Sequence, residues 1–241
     1  MSEVFGLHPV RAILESAPER IRVLFVQRGK DTRKQALVDL ARESGVRVEF
    51  VDRSRLDRKV EGAHQGVVAD CHDLALATET ALEAAWPNLA APRLLLALDG
   101  VQDPRNLGAC LRSARAAGVQ AVLLPKRRSA PLNAAAIKTA AGAAEGLLIV
   151  EVSNLARRLD WIKQQGTWVI GAAGESEMPY FQADFTTDTL LVMGGEEKGL
   201  RRLTRDHCDQ LVRIPMAEGM ESLNVSVAAG VLLFEAVRQR A

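Results

Sequence analysis

Residues 94–124 read LLLALDGVQDPRNLGACLRSARAAGVQAVLL. Leu94 to Leu98 is a continuous apolar run of strand length, and Val119 to Leu124, closed by Pro125, is another. Between them, Asn106 to Ala117 has helical character and stops at Gly118, where a helix-ending glycine belongs. Strands apolar on both faces and separated by helices imply a mostly parallel sheet covered on both sides. The alternation continues outward: a helix over 132–144, a strand over 147–152, a helix over 154–165, and strands over 167–172, 189–193 and 211–214. A long terminal helix is predicted over 223–240.

Towards the N-terminus the pattern is finer. Ile21 to Gln27 and Val46 to Val51 read as strands, with a third, short one over 66–69. The spacing predicts helices over 10–15 and 31–44, the second capped by Asp31 or Thr32. Residues 71–90 carry three acidic and no basic side chains and are rich in alanine, which suits a partly helical connector. The expected organisation is a small α/β domain over 1–72, a linker over 73–90 and a larger α/β domain over 91–241.

Composition excludes several classes. The 241 residues are 48% hydrophobic and 25% charged, so the chain is neither disordered nor fibrous. Its formal net charge is +1, so any affinity for a polyanion must come from local patches. Three cysteines are too few for a disulfide framework and suit a reducing compartment. Cys71-His72 and His207-Cys208 have no partner at metal-ligand spacing, so no metal is expected. Residues 1–10 lack a signal-peptide pattern and no apolar run reaches membrane length, which makes the cytoplasm the expected location.

Three loops after strands gather the unusual residues. The first, 99–108, leads into a helix carrying Arg105, Arg112 and Arg115, whose guanidinium forks suit phosphate oxygens. Asn106 stands near its expected N-cap. The second, Met193-Gly194-Gly195-Glu196-Glu197-Lys198-Gly199, has glycines that permit close backbone approach or a positive φ. It is not GxGxxG, and no ribose-binding acid follows, which disfavours a nicotinamide-dependent dehydrogenase. The third runs from Ile214-Pro215-Met216 to Ser222-Leu223-Asn224. Its Ile214, Met216 and Leu223 could line an adenine slot, with Ser222 the expected cap of the last helix. Basic clusters at Arg53, Arg55, Arg58 and Lys59, and at Lys126, Arg127 and Arg128, joined by Arg105 and Arg115, are the candidate nucleic-acid-binding patches.

Taken together, Asn106-x-Gly108-x-x-x-Arg112, Gly194-x-Glu196-x-x-Gly199, and Ile214-Pro215-Met216 followed by Ser222-Leu223-Asn224-Val225-Ser226-Val227-Ala228 resemble motifs 1, 2 and 3 of the SpoU, or TrmH, class of RNA ribose 2′-O-methyltransferases in the SPOUT superfamily. Phe5 to Val10 and His64-Gln65-Gly66 are similar to that family's small L30e-like substrate-binding domain. The resemblance implies a C-terminal trefoil knot, S-adenosylmethionine as methyl donor and a homodimer with the active site at its interface. It implies donor contacts from Gly194, Gly199, Ile214, Met216 and Leu223, and a catalytic region of Arg112, Asn106, Glu196, Ser222 and Asn224. With both domains in this order, the implied activity is 2′-O-methylation of a guanosine in the P loop of 23S rRNA. A transfer-RNA ribose methyltransferase of the same class, or an RNA-binding assembly module without catalysis, is the alternative. The sequence departs from the usual third motif at Glu218, where a glycine is expected and Gly219 follows instead.

Overall fold

The computed structural model describes residues 2–72, 74–196, 198–220 and 222–241. The chain divides into two units, residues 1–75 with 132–146, and residues 76–131 with 147–241.

In the first unit the elements are β1 (Ser2–Phe5), α1 (Leu7–Ser16), β2 (Ile21–Gln27), α2 (Thr32–Glu43), β3 (Val48–Val51), α3 (Arg53–Asp57) and β4 (Val67–Cys71). The sheet order is β1-β4-β2-β3, with β4 antiparallel to both neighbours and β2 parallel to β3. Successive β2 side chains serve opposite faces: Leu24 and Val26 join a core with α1 and α2, and Phe25 joins one with Leu56 of α3. Asp31 caps α2, accepting from the Arg33 N–H at 3.0 Å. The first strand and α3 went unread in the sequence, being only four and five residues long.

The second unit begins with α4 (Glu79–Ala85), β5 (Leu94–Asp99), α5 (Pro104–Ala116) and β6 (Ala121–Pro125). The next helix, α6 (Ala134–Ala140), belongs to the first unit instead. By packing, 132–146 thus goes with the first unit, whereas the expected division kept 91–241 together. Ile137 enters the core around Val10 and Ile13, and Gly142 lies so near Ala12 that an added Cβ would stand 2.6 Å from the alanine's. Arg20, 9% exposed, donates to Glu145 Oε1 at 2.7 Å. An alanine-rich stretch carries little sign of which core it joins.

The second unit continues with β7 (Leu148–Val152), α7 (Leu155–Gln164), β8 (Trp168–Ala172), β9 (Thr189–Gly194), α8 (Arg202–Asp206), β10 (Gln210–Val212) and α9 (Val225–Arg240). All neighbours in the sheet β10-β8-β9-β5-β6-β7 run parallel, as the apolar runs predict. On one face Leu95, Leu123, Val150 and Val192 pack with Trp86 and with Leu159 of α7. On the other, α5 packs against α9, which lies on β9. Consecutive strands step from β5 to β7 on one side, whereas β9 returns to lie beside β5. That reversal leaves a crevice at the carboxyl ends of β5 and β9.

Two polar clusters fasten the second unit. Arg240, the penultimate residue, donates to the carbonyls of Pro92, Arg93, Phe185 and Thr187 at 2.6–3.0 Å. Glu79 of α4 accepts from the Ser153 amide and hydroxyl and from Arg158 of α7 at 2.6–3.0 Å. Burial pushes Glu79 up, but Ser153 and the Arg158 guanidinium outweigh it and bring the carboxyl from 4.5 down to about 2. A carboxyl depressed in the folded state stabilises the fold above its unfolded pKa, and that contribution drains away as pH falls from about 4.5 towards about 2. Urea unfolding between pH 5 and pH 3 is expected to show a smaller pH dependence for Glu79→Gln than for the parent. Identical profiles would mean that the network does not depress this group.

Among the described residues no helix is long and apolar enough to cross a membrane.

Candidate active site

The crevice is a cleft of about 650 Å³, and its walls come from the loops after β5 and β9 and the start of α5. Asp99, Asn106, Arg128, Glu196, Gly199 and Arg201 are among its lining residues. Arg105 N–H donates to the Asp103 side chain at 2.7 Å, so Asp103 caps α5 and Pro104 opens it. The expected cap, Asn106, sits inside the first turn and is free for other work. Its Nδ2 donates to Glu196 Oε1 at 2.8 Å, and its Oδ1 accepts from Asn224 Nδ2 at 3.0 Å. Asn224 Oδ1 in turn accepts from the Ser226 amide at 2.9 Å and hydroxyl at 2.6 Å. One hydrogen-bond chain thus links all three sequence motifs through residues 90 and 118 positions from Asn106.

Asn224 is therefore the cap of α9, not Ser222, and the helix starts at Val225. Ser222 is exposed. Side chains at this helix start serve two purposes: Asn224 spends its carbonyl on the cap and its amide on Asn106, which a serine hydroxyl three residues ahead of the helix could not do.

The glycines of the second motif act within the chain. A Cβ on Gly194 would stand 2.1 Å from the carbonyl carbon of Gly199 and 2.3 Å from the amide nitrogen of Leu200. A Cβ on Gly195 would lie 2.4 Å from the carbonyl oxygen of Gly100. Gly195 and Gly199 exchange two backbone hydrogen bonds, of 3.2 and 3.0 Å, around a turn in which Gly199 has φ 59°. The close approach expected towards a ligand is here an approach of backbone to backbone.

In the third motif, Gly219 has φ 85°, and the Met220 N–H donates to the Ala217 carbonyl at 3.2 Å. This is the pattern of a type II turn with Glu218 second and glycine third, the position that requires a positive φ. The departure at Glu218 is thus a turn whose glycine falls one residue later. Glu197 and Glu221, within the second and third motif stretches, lie outside the described residues.

Asp99 and Arg201 were not singled out in the sequence. The Asp99 side chain is fully buried at the end of β5, and it accepts from Arg201 Nε at 2.6 Å and from the Arg201 amide at 3.3 Å. The only sequence sign was an acid ending an apolar strand, because the partner lies 102 residues away. Cys110, on the buried side of α5, is pushed up to about 12 by burial and by the Glu196 carboxylate, so it stays a neutral thiol.

The remaining predicted residues are dispersed. Arg112 is exposed on α5 and lies outside the cleft lining, and among the described residues no carboxylate pairs with it. Ile214, Met216 and Leu223 are half-buried and lie outside the same lining. Arg105 and Arg115 are exposed on α5. In the first unit, Arg53 pairs with Asp57 at 3.7 Å, Arg55 with Glu49 at 3.4 Å, and Lys59 with Glu3 at 3.5 Å. Arg58 is exposed, so that patch is largely balanced by its own carboxylates. Lys126 pairs with Glu151 at 3.7 Å, whereas Arg127 and Arg128 are exposed.

A cleft at the switch point of a parallel sheet, walled by the first two motifs and tied by hydrogen bonds to the third, defines a class, and comparison with known proteins names it. Residues 93–234 match the SpoU rRNA Methylase family and residues 4–76 match the family described as RNA 2'-O ribose methyltransferase substrate binding, so the chain belongs to the SpoU methylase family. It is 50% identical over 241 residues to the 23S rRNA (guanosine-2'-O-)-methyltransferase RlmB of Pseudomonas syringae pv. tomato, covering 100% of this chain and 96% of that one. Against the Escherichia coli K12 RlmB the identity is 49% over 243 residues, covering 100% of both. Among solved structures, the SpoU methyltransferase AviRb from Streptomyces viridochromogenes, in complex with its cofactor AdoMet, superposes with a TM-score of 0.82 at 25% identity, over 99% of this chain and 90% of that one.

Proposed function

We propose that this chain transfers a methyl group from S-adenosylmethionine to the ribose 2′-hydroxyl of a guanosine in 23S rRNA. Family membership and full-length likeness to RlmB proteins support the reaction and substrate class. The observation that carries it to these residues is the hydrogen-bond chain from Glu196 through Asn106 to Asn224, which draws the three motifs to one place.

The third motif fits the donor. Among the described residues of this stretch, 214–220 and 222–223, the one backbone–backbone loop hydrogen bond runs from the Met220 N–H to the Ala217 carbonyl, which leaves further carbonyls and amides for an adenine edge. Ile214, Met216 and Leu223 are half-buried apolar side chains beside them. When bound, the donor supplies an electrophilic methyl on a sulfonium, a good leaving group, so the protein's task is to orient the hydroxyl. Positioning of this kind is worth roughly 7–11 kcal/mol. Arg112, exposed and free of carboxylates, grips the phosphate and ribose of the target nucleotide. A guanidinium, a donor with no acceptor atom, is poorly suited to take the proton. Asn106 sets Glu196 and Asn224, and Glu196 holds the loops together.

Arg112→Lys keeps the charge but loses the fork. It is expected to lower kcat by about tenfold while donor affinity in calorimetry is unchanged. Full turnover with an unaltered pH profile would remove Arg112 from any essential role. Mapping ribose methylation in 23S rRNA from cells with and without the gene tests the function itself, and an unchanged map would end it.

The same reading includes an L30e-like first unit presenting RNA, a C-terminal segment threaded as a trefoil knot, the P loop as target, and action in the cytoplasm. It also includes a homodimer. Val227 and Phe234, seven residues apart and hence on one face of α9, are 52% and 49% exposed, an apolar stripe that a second copy would cover.

A further inference from the structure

Beside the cleft, at the carboxyl ends of β6 and β7, lies a second hollow of about 280 Å³. Arg127 and Arg128 form one wall, Arg201 another, and Asn154 and Leu155 at the start of α7 a third. We propose that this hollow receives one backbone phosphate of the RNA, next to the nucleotide being methylated. The inference rests on the methyltransferase reading, because it takes the polyanion to be the substrate strand.

Charge points to an anion. Lys126 has its own partner in Glu151, but among the described residues Arg127 and Arg128 have none. Arg201 is held differently. Its Nε and one terminal nitrogen bond Asp99, and the aspartate also takes the Arg201 amide, so the guanidinium is fixed in orientation. Two unbalanced guanidinium groups and a third locked in place make a hollow suited to bidentate phosphate contact. Leu155 adds the positive end of a ten-residue helix, whose Asn154 cap accepts from the Arg157 amide at 3.1 Å.

Continuity points to RNA. Arg128 and Arg201 line both the cleft and the hollow, so a ligand spanning them has a phosphate on one side of these arginines and a nucleoside on the other. Arg128 has φ 62°, a left-handed conformation that non-glycine residues rarely hold, and the loop is tied down by the Ala130 N–H to the Val101 carbonyl at 2.7 Å. That conformation sits where the side chain divides the two spaces. Proximity to the cleft is what separates an RNA phosphodiester from a free phosphate ion.

Arg127→Gln tests it, because Arg127 lines the hollow but not the cleft. Binding of a 23S rRNA transcript would be followed from 50 to 200 mM salt, with S-adenosylmethionine affinity by calorimetry as the folding control. The expected result is about tenfold weaker RNA binding and a log K against log salt slope shallower by about one, with most of the slope restored in Arg127→Lys. Unchanged affinity and slope would overturn the site while leaving the wild-type reaction standing. Wild-type protein unable to methylate the transcript would instead sink the underlying reading. Inorganic phosphate binding that is lost in Arg127→Gln, with rRNA affinity unaltered, would show a free-anion site and overturn the RNA assignment.

Discussion

Gly194→Ala is expected to abolish the folded second unit. The added methyl would stand 2.1 Å from the Gly199 carbonyl carbon and 2.3 Å from the Leu200 nitrogen, both backbone atoms that no rotamer change can move. Relief requires β9 and the loop that recrosses it to separate, and the motif turn between Gly195 and Gly199 would go with them. A cost above about 4 kcal/mol, the range reserved for severe core or backbone conflicts, is a large share of a domain's roughly 5–15 kcal/mol. Thermal unfolding by circular dichroism should show the cooperative transition lost or lowered by tens of degrees. Gly230→Ala is the comparison: its Cβ would meet only Ser113 Oγ at 3.7 Å, and a helical glycine replaced by alanine is expected to gain up to about 1 kcal/mol. Should both variants melt with the parent, the crossing is not as tight as described.

The largest effect on activity alone is expected for Asn106→Ala. The substitution removes the donor to Glu196 and the acceptor for Asn224 together. Neither partner is deeply buried, so stability should fall by no more than about 1 kcal/mol. The loops of the second and third motifs would lose their common anchor, and a displacement near 1 Å in a positioned site costs about 10²-fold in rate. Methyl transfer with labelled donor should show that loss in kcat. Because the three residues act as one chain, Asn106→Ala combined with Asn224→Ala should be scarcely worse than Asn106→Ala alone. Fully additive losses, or a single variant with normal kcat, would break the case for a relay.

How far the sequence was legible follows from the range of each interaction. The five long apolar runs from 94 to 193 became strands close to where they were read, because burial on both faces leaves a local mark. The three motifs stood out by spacing. Helix starts were read less well: Asp103 and Asn224 cap α5 and α9, whereas Asn106 and Ser222 had equal claim by residue type. Which of several capping residues is used depends on what else the others touch, and Asn106 touches residues 90 and 118 positions away. For the same reason the Asp99–Arg201 pair was invisible. Basic clusters were visible as runs, and so was Asp57, four residues after Arg53, but the carboxylates that pair with Lys59 and Lys126, Glu3 and Glu151, lie far off in the chain.

The helix of residues 134–140 and the turn after it have a practical bearing on dissection of this protein. Because Ile137 and Glu145 complete the interior around Ile13 and Arg20, a fragment ending at Ala75 would carry a void and a stranded buried cation. No single scissile position in the polypeptide therefore yields two self-sufficient halves. Recombinant expression of the first unit would call for a grafted loop returning 132–146 to it, rather than a stop codon.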